Sequence, residues 1–178
     1  MSITKKQFAM KTYVTILIMT FTVLAHQTFS QELFVKFKIL NEEGKNMKGA
    51  SIKLYKMNTL VMADEKARAN NKMILDKDSY YTIEVSKPGY ITKRIGVYTT
   101  FDEVNLIENV YEFFVQLEEE SKYAQYSNYD DVMDYPIAIV QYDDDEQAFD
   151  YNYQYWQNAK KQLAILKAQA AQSLASCD

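Results

Sequence analysis

The chain has 178 residues, 48% of them apolar, a formal net charge of −4, four glycines, two prolines, one histidine and one cysteine. That length allows one domain with a proper core and an appendage, and excludes two large domains. A single thiol, Cys177, excludes an internal disulfide, and one Cys with one His excludes a zinc site built from those ligands.

The N-terminus carries Lys5, Lys6 and Lys11 ahead of a charge-free apolar run over residues 13–24. This is the layout of a secretory signal peptide. The run is far shorter than the roughly 20 residues of a bilayer-spanning helix, so no stable membrane span is expected after cleavage. Thr28 and Ser30 suit a cut in front of Gln31, with a cut after Ala25 as the alternative. No cysteine stands there for lipid acylation. Residues 1–30 are therefore read as a signal peptide and the rest as an exported chain of the periplasm or cell surface. His26 leaves with the leader, which removes Ser-His and Cys-His nucleophile systems. The glycines, at 44, 49, 89 and 96, fit neither a phosphate loop nor a dinucleotide motif. No cofactor is expected.

Charge is segregated along the exported chain. Residues 31–99 hold 13 Lys and Arg against 8 Asp and Glu, a balance of +5, whereas residues 100–150 hold 1 against 15, a balance of −14. The positive residues alternate with acids instead of forming a basic face, so no nucleic-acid partner is expected.

Strands come first. In LFVKFKIL, Leu33, Val35, Phe37 and Ile39 share one face and Lys36 and Lys38 the other, the period of a half-buried strand. NEEGKNMKG then turns the chain into ASIKLYK, where Ala50, Ile52 and Leu54 face inward. The two strands are neighbours, either antiparallel or crossing between sheets. Residues 60–62 and 73–75 read as short strands separated by a loop at Asn70 and Asn71, with a one-turn helix over ADEKARA as a competitor.

In YYTIEVSKPGYITKRIGVYTT, Tyr81, Ile83 and Val85 alternate on one strand and Ile95 and Val97 on the next. Pro88 and Gly89 supply the central pair of a type II turn. Lys87, Lys93 and Arg94 read either as an anion site or as the solvated face of a hairpin, and the second is the expectation. YEFFVQLE adds a further strand with Tyr111, Phe113, Val115 and Leu117 inward. Six or seven short strands without an intervening helix favour a mainly β fold, an antiparallel sandwich.

NEEGKNMKGASIKLYK, followed by MILDKDSYYTIEVSKPGYITKRIGVYT, resembles the carboxypeptidase-regulatory-like, transthyretin-type β-sandwich domain of exported Bacteroidota proteins. Gly44 and Gly49 match its turn, Tyr81 and Ile83 its Y.I strand, and Lys87, Gly89 and Tyr90 its K.GY corner. Its Thr-x-Asp-Gly hairpin is replaced here by NNKMILDKD. The resemblance covers about residues 32–118. It implies a binding or spacer module of the cell envelope, attached to enzymes, receptors or secretion and motility machinery, and not an enzyme.

Residues 119–151 mix acids with tyrosines, unlike a disordered linker. Within them YPIAIVQYDDD is an apolar run that can add a strand or lean on the sandwich, leaving residues 143–146 in solvent. Clustered carboxylates suit a hard cation, but these lack the spacing and glycine of a calcium loop, so no metal is expected. A helix closes the chain within residues 152–178, capped by Asp150 or Asn152. Trp156, Ala159, Leu163, Leu166 and Ala170 form a seam along it. That seam serves packing on its own domain, self-association or a partner helix.

Two functions are weighed. The first is a non-catalytic envelope module, an accessory of a secretion, motility or surface assembly, that binds a protein partner through Trp156, Leu163, Leu166 and Tyr142. The second is a glycan hydrolase using paired carboxylates of the acidic segment. The first is the expectation, because one short segment hardly builds a pocket around such a pair.

Overall fold

The computed structural model describes residues 32–101, 110–122 and 135–175. The expected signal peptide lies outside the described residues. The described chain is mainly β, with a sandwich of two sheets and one C-terminal helix.

The first strand, β1 (Glu32–Leu40), buries Leu33, Val35, Phe37 and Ile39 and turns Phe34, Lys36 and Lys38 outward, as alternation predicts. It is the centre of a three-stranded sheet, between β4 (Asn70–Asp76) and β7 (Val110–Gln116). The next strand, β2 (Ala50–Lys56), belongs to the other sheet, so the chain crosses between layers after β1. The corner is local chemistry. Asn41 accepts from Gly44 N at 2.9 Å and, through Oδ1, from Lys45 N at 2.8 Å. Gly44 holds φ +74°, a conformation in which a side chain is strained.

The second sheet has six strands in the order β3-β2-β5-β6-β8-β9. Here β3 (Thr59–Ala67) contains the short strand read at residues 60–62 and runs on through residues 63–67, in place of the one-turn helix read over ADEKARA. Met57 and Asn58, at φ +48° and +67°, close a two-residue turn of the I′ kind that matches strand twist. Cross-strand pairing with β2 thus overrides the helix propensity of ADEKARA. Asn70 and Asn71 are not loop residues either, since they pair with Lys38 and Phe37 at the start of β4.

Strands β5 (Tyr80–Lys87) and β6 (Tyr90–Tyr98) form the expected hairpin, with Gly89 at φ +80° in the turn. Thr99, fully buried just after β6, donates Oγ1–H to Asp76 O at 2.7 Å and accepts from Ser79 N at 2.9 Å. One hydroxyl thus ties the end of β4 to the start of β5.

Within the acidic stretch, β8 (Ala138–Asp143) pairs in parallel with β6, and β9 (Ala148–Tyr151) pairs antiparallel with β8. The run YPIAIVQY therefore widens the larger sheet. The β1–β7 ladder is also parallel, so the sandwich is antiparallel only in the main. Residues 143–146 are exposed, and Asp143 Oδ1 accepts from Asp145 N and Glu146 N to cap its own turn. The helix, α1 (Tyr153–Ala175), is capped by Asn152, whose Oδ1 accepts from Tyr155 N at 2.9 Å. Among the described residues no helix is long and apolar enough to cross a membrane.

The core is drawn from both sheets, with Ile52, Ile83, Val85 and Val97 facing Leu33, Val35, Leu75 and Val115. Each such side chain contributes about 1.5–3 kcal/mol when buried. Phe37 stacks on Phe113 across the β1–β7 ladder, with ring centroids 5.3 Å apart.

Two substitutions check this architecture. Gly89→Val puts a β-branched residue at positive φ and should cost about 1 kcal/mol or more; an unchanged melting temperature would show the turn misassigned. Thr99→Val keeps the volume but takes the partner from a part-buried N–H and carbonyl, for a loss of about 1 kcal/mol in urea unfolding. A loss near zero would mean that Thr99 ties nothing together.

Candidate functional site

A six-stranded layer cannot be covered by a three-stranded one, and the shortfall falls at both margins: β3 is exposed along nearly its whole length, and cover is also incomplete on the β8–β9 side. Val140 is the buried residue of β8, while Ile137 and Phe149 are only partly covered. Above them lies a groove of about 920 Å3. Ile95, Ala138 and Val140 form its floor, β7 forms one wall with Tyr111, Phe113, Phe114 and Gln116, and α1 forms the other with Tyr155, Trp156, Ala159 and Leu163. Tyr135 and Tyr151 stand at its rim, 71% and 38% exposed.

The helix wall is set by two contacts. Asn152 N donates to Ile139 O at 2.7 Å, which fixes where the helix begins against β8. Tyr155 Oη donates to Pro136 O at 2.7 Å. These turn Trp156, Ala159 and Leu163, the first part of the predicted seam, toward the groove, where all three are half-buried. Trp156 packs edge-on against Tyr151, with centroids 5.6 Å apart, and carries Lys160 over its ring at 4.8 Å. The side chain of Leu166 lies outside the described residues. Tyr142 is not in the groove: it packs between Phe101 and Phe149 at 5.9 and 5.5 Å. The structure thus brings together two of the four expected contact residues, Trp156 and Leu163.

At the other end the groove meets a buried charge. Lys93 lies on the inward face of β6 with Ile91 and Ile95, and is 2% exposed. Its Nζ stands 3.3 Å from Glu118 Oε1. This corrects the expectation of a solvated face. Nor do Lys87, Lys93 and Arg94 form one anion site, because Lys87 Nζ donates to Lys48 O at 2.8 Å and Arg94 Nε to Glu84 Oε2 at 2.9 Å, on other surfaces. The signal was in the parity, since Lys93 shares its register with Ile91, Ile95 and Val97.

The electrostatics favour neutral groups inside. Burial pushes the Tyr111 phenol up to about 12 from its ordinary 10.0, and the nearby Asp150 carboxylate and Tyr151 add to this. Tyr155 is raised for the same first reason, burial, with Tyr80 and Tyr135 contributing. Among the described lining residues Glu118 is the one carboxylate, so the pair that glycoside chemistry needs is not assembled there. No group of three His, Cys, Asp or Glu is gathered to hold a metal among the described residues.

No protein-family model and no curated protein matches the chain. Among solved structures it is similar to 3-chlorocatechol 1,2-dioxygenase from Rhodococcus opacus, with 6% identity and a TM-score of 0.37 over 53% of this chain and 62% of that one. Catechol 1,2-dioxygenase from an Acinetobacter species gives 9% and 0.33 over 53% and 55%. Hydroxyquinol 1,2-dioxygenase from Pseudomonas putida gives 8% and 0.34 over 53% and 58%. The chain thus spans less than two thirds of these proteins. They correct one expectation: the solved structures that the chain resembles are enzymes, so the sandwich is not the mark of a chain that is not an enzyme. A fold does not decide a function, and likeness at these TM-scores assigns no dioxygenase activity here.

Tyr111 provides a direct check on the groove. In the folded protein its phenol should ionise near pH 12, followed by NMR of labelled tyrosine rings and assigned with Tyr111→Phe. A phenol raised on folding adds stability that is complete below pH 10 and is lost as pH climbs through 12. Ionisation of Tyr111 near pH 10 would place it in open water.

Proposed function

We propose that the chain is an exported cell-envelope binding module, an accessory of a secretion, motility or surface assembly, and that it holds a protein partner in the groove between β7 and α1. One observation carries this reading. A concave site of about 920 Å3 gathers seven aromatic side chains, several of them exposed, at one edge of the core. Large rigid rings provide contact area at little conformational cost, and aromatic-rich patches of this kind are where partner proteins bind. The signal-like leader and the resemblance of residues 32–118 to envelope sandwich domains support the address. The acidic balance of residues 100–150 supports a partner with basic groups near its contact site.

Site-specific photo-crosslinking in the native envelope tests it. A benzophenone residue at Phe114, on the groove wall, should give one discrete crosslinked product. The same group at Lys72, on β4 across the smaller sheet, should give none. Leu163→Asp should abolish the Phe114 product and also the blue shift and acrylamide protection that Trp156 gains on binding. Equal crosslinking from both positions, or a Trp156 emission indifferent to every envelope fraction, would sink the groove as the binding site. N-terminal sequencing of the native protein decides export: a start near Gln31 or just after Ala25 is expected, and an uncut chain would overturn it.

A further inference from the structure

We infer that the groove seats an added strand, and that the partner enters it as an extended segment along the edge of β7 that no strand among the described residues occupies. This rests on the groove being the binding site and specifies how it binds. Among the described residues β7 pairs only with β1, so it is an edge strand of the smaller sheet. An edge strand leaves alternate N–H and C=O groups facing away from its partner.

The lining shows where that edge points. Tyr111 and Phe113 belong to the inward face of β7 and Phe114 and Gln116 to the outward face, yet all four line the same groove. A groove lying over one face of a strand touches residues of one parity. One that touches both runs along the strand's edge. A fourth strand seated there would lie over β8, where the larger sheet lacks cover, and its inward side chains would meet Ala138, Val140, Trp156 and Leu163.

The chemistry of the occupant follows from both faces and both ends. Alternate apolar residues, valine or aromatic, suit the floor, and polar residues between them suit the solvent side. Beyond the C-terminal end of β7, Glu119 and Glu120 are exposed. Near Tyr111, Asp150 is exposed, as are residues 143–146 beyond it. Acids at both ends complement a segment flanked by Lys or Arg. The occupant is therefore a segment of a partner protein, about as long as the 7 residues of β7, with alternating apolar residues and basic flanks.

Backbone methylation separates strand addition from side-chain docking. The probe is a synthetic peptide of alternating valine and threonine with one central tyrosine and a lysine at each end. Two variants are N-methylated on alternate residues in opposite phases, so their side chains are the same and their backbone donors differ. With the purified full chain, Trp156 fluorescence should show saturable binding of the parent peptide. One methylated phase should bind nearly as well, and the other, which loses the donors facing β7, roughly tenfold or more weaker. Replacing both lysines by glutamate should also weaken binding. Equal binding by the two phases, or no saturable binding by the parent, overturns strand addition. Crosslinking from Phe114 in the envelope would in either case still report on the groove itself, so the two ideas fail separately. Sedimentation checks the other occupant: a dimer that dissociates on Phe114→Lys would assign the edge to a second copy and overturn the partner segment.

Discussion

Inward-facing apolar side chains on six strands must be kept from water, and a sheet of three strands can cover only part of that surface. This mismatch in width governs the rest of the structure. Where β1, β4 and β7 lie over β2, β5 and β6, burial is nearly complete: Leu33, Val35, Ile83, Val85, Val97 and Val115 are fully excluded from water. At both margins, along β3 and toward β8 and β9, the cover runs out. At the second margin the chain responds with bulky, amphipathic residues, because tyrosine and tryptophan can shield apolar atoms with one side of the ring and meet water with the other. The C-terminal helix lies along this margin, seated by Asn152 and Tyr155.

The same mismatch accounts for the buried ion pair. Lys93 stands on the inward face of β6, where an uncompensated ammonium would be costly, and Glu118, just past the end of β7, reaches it. An ion pair in this position joins the two sheets at one end of the groove, and Ile91 N reinforces the joint by donating to Glu118 O at 2.9 Å. The groove is thereby closed by charge at one end and lined by neutral rings along its length.

The acidic segment is less a tail than a part of the sheet. Its apolar half supplies β8 and β9, and its carboxylates are left at the turn, where Asp143 satisfies the amides of Asp145 and Glu146. Charge and burial are thus separated over a few residues. This is why a stretch with a balance of −14 with its neighbours can still join a β-sandwich.

Much of the fold was legible from the sequence because period-two alternation is a local signal with a direct physical cause: the inward faces of β1, β2, β5 and β7, and of β6 apart from Lys93, are read from residue types alone, and so are the Pro88-Gly89 turn and the C-terminal helix. The seam residues Trp156 and Leu163 were legible for the same reason, since helical spacing puts them on one side. Other features depend on pairing across the chain. The strand at residues 59–67 forms because β2 supplies hydrogen-bond partners, against the local preference of ADEKARA for a helix. The parallel ladders of β6 with β8 and of β1 with β7, and the place of Tyr142 among Phe101 and Phe149 instead of beside Trp156, have no local signature at all. The sequence by itself determined the strands that alternate regularly and which of their faces are apolar, because those follow from side-chain spacing. Only the tertiary structure decided how many strands each layer has, and hence that one layer outruns the other and leaves a groove, because sheet width is set by long-range hydrogen bonding that no run of neighbouring residues encodes.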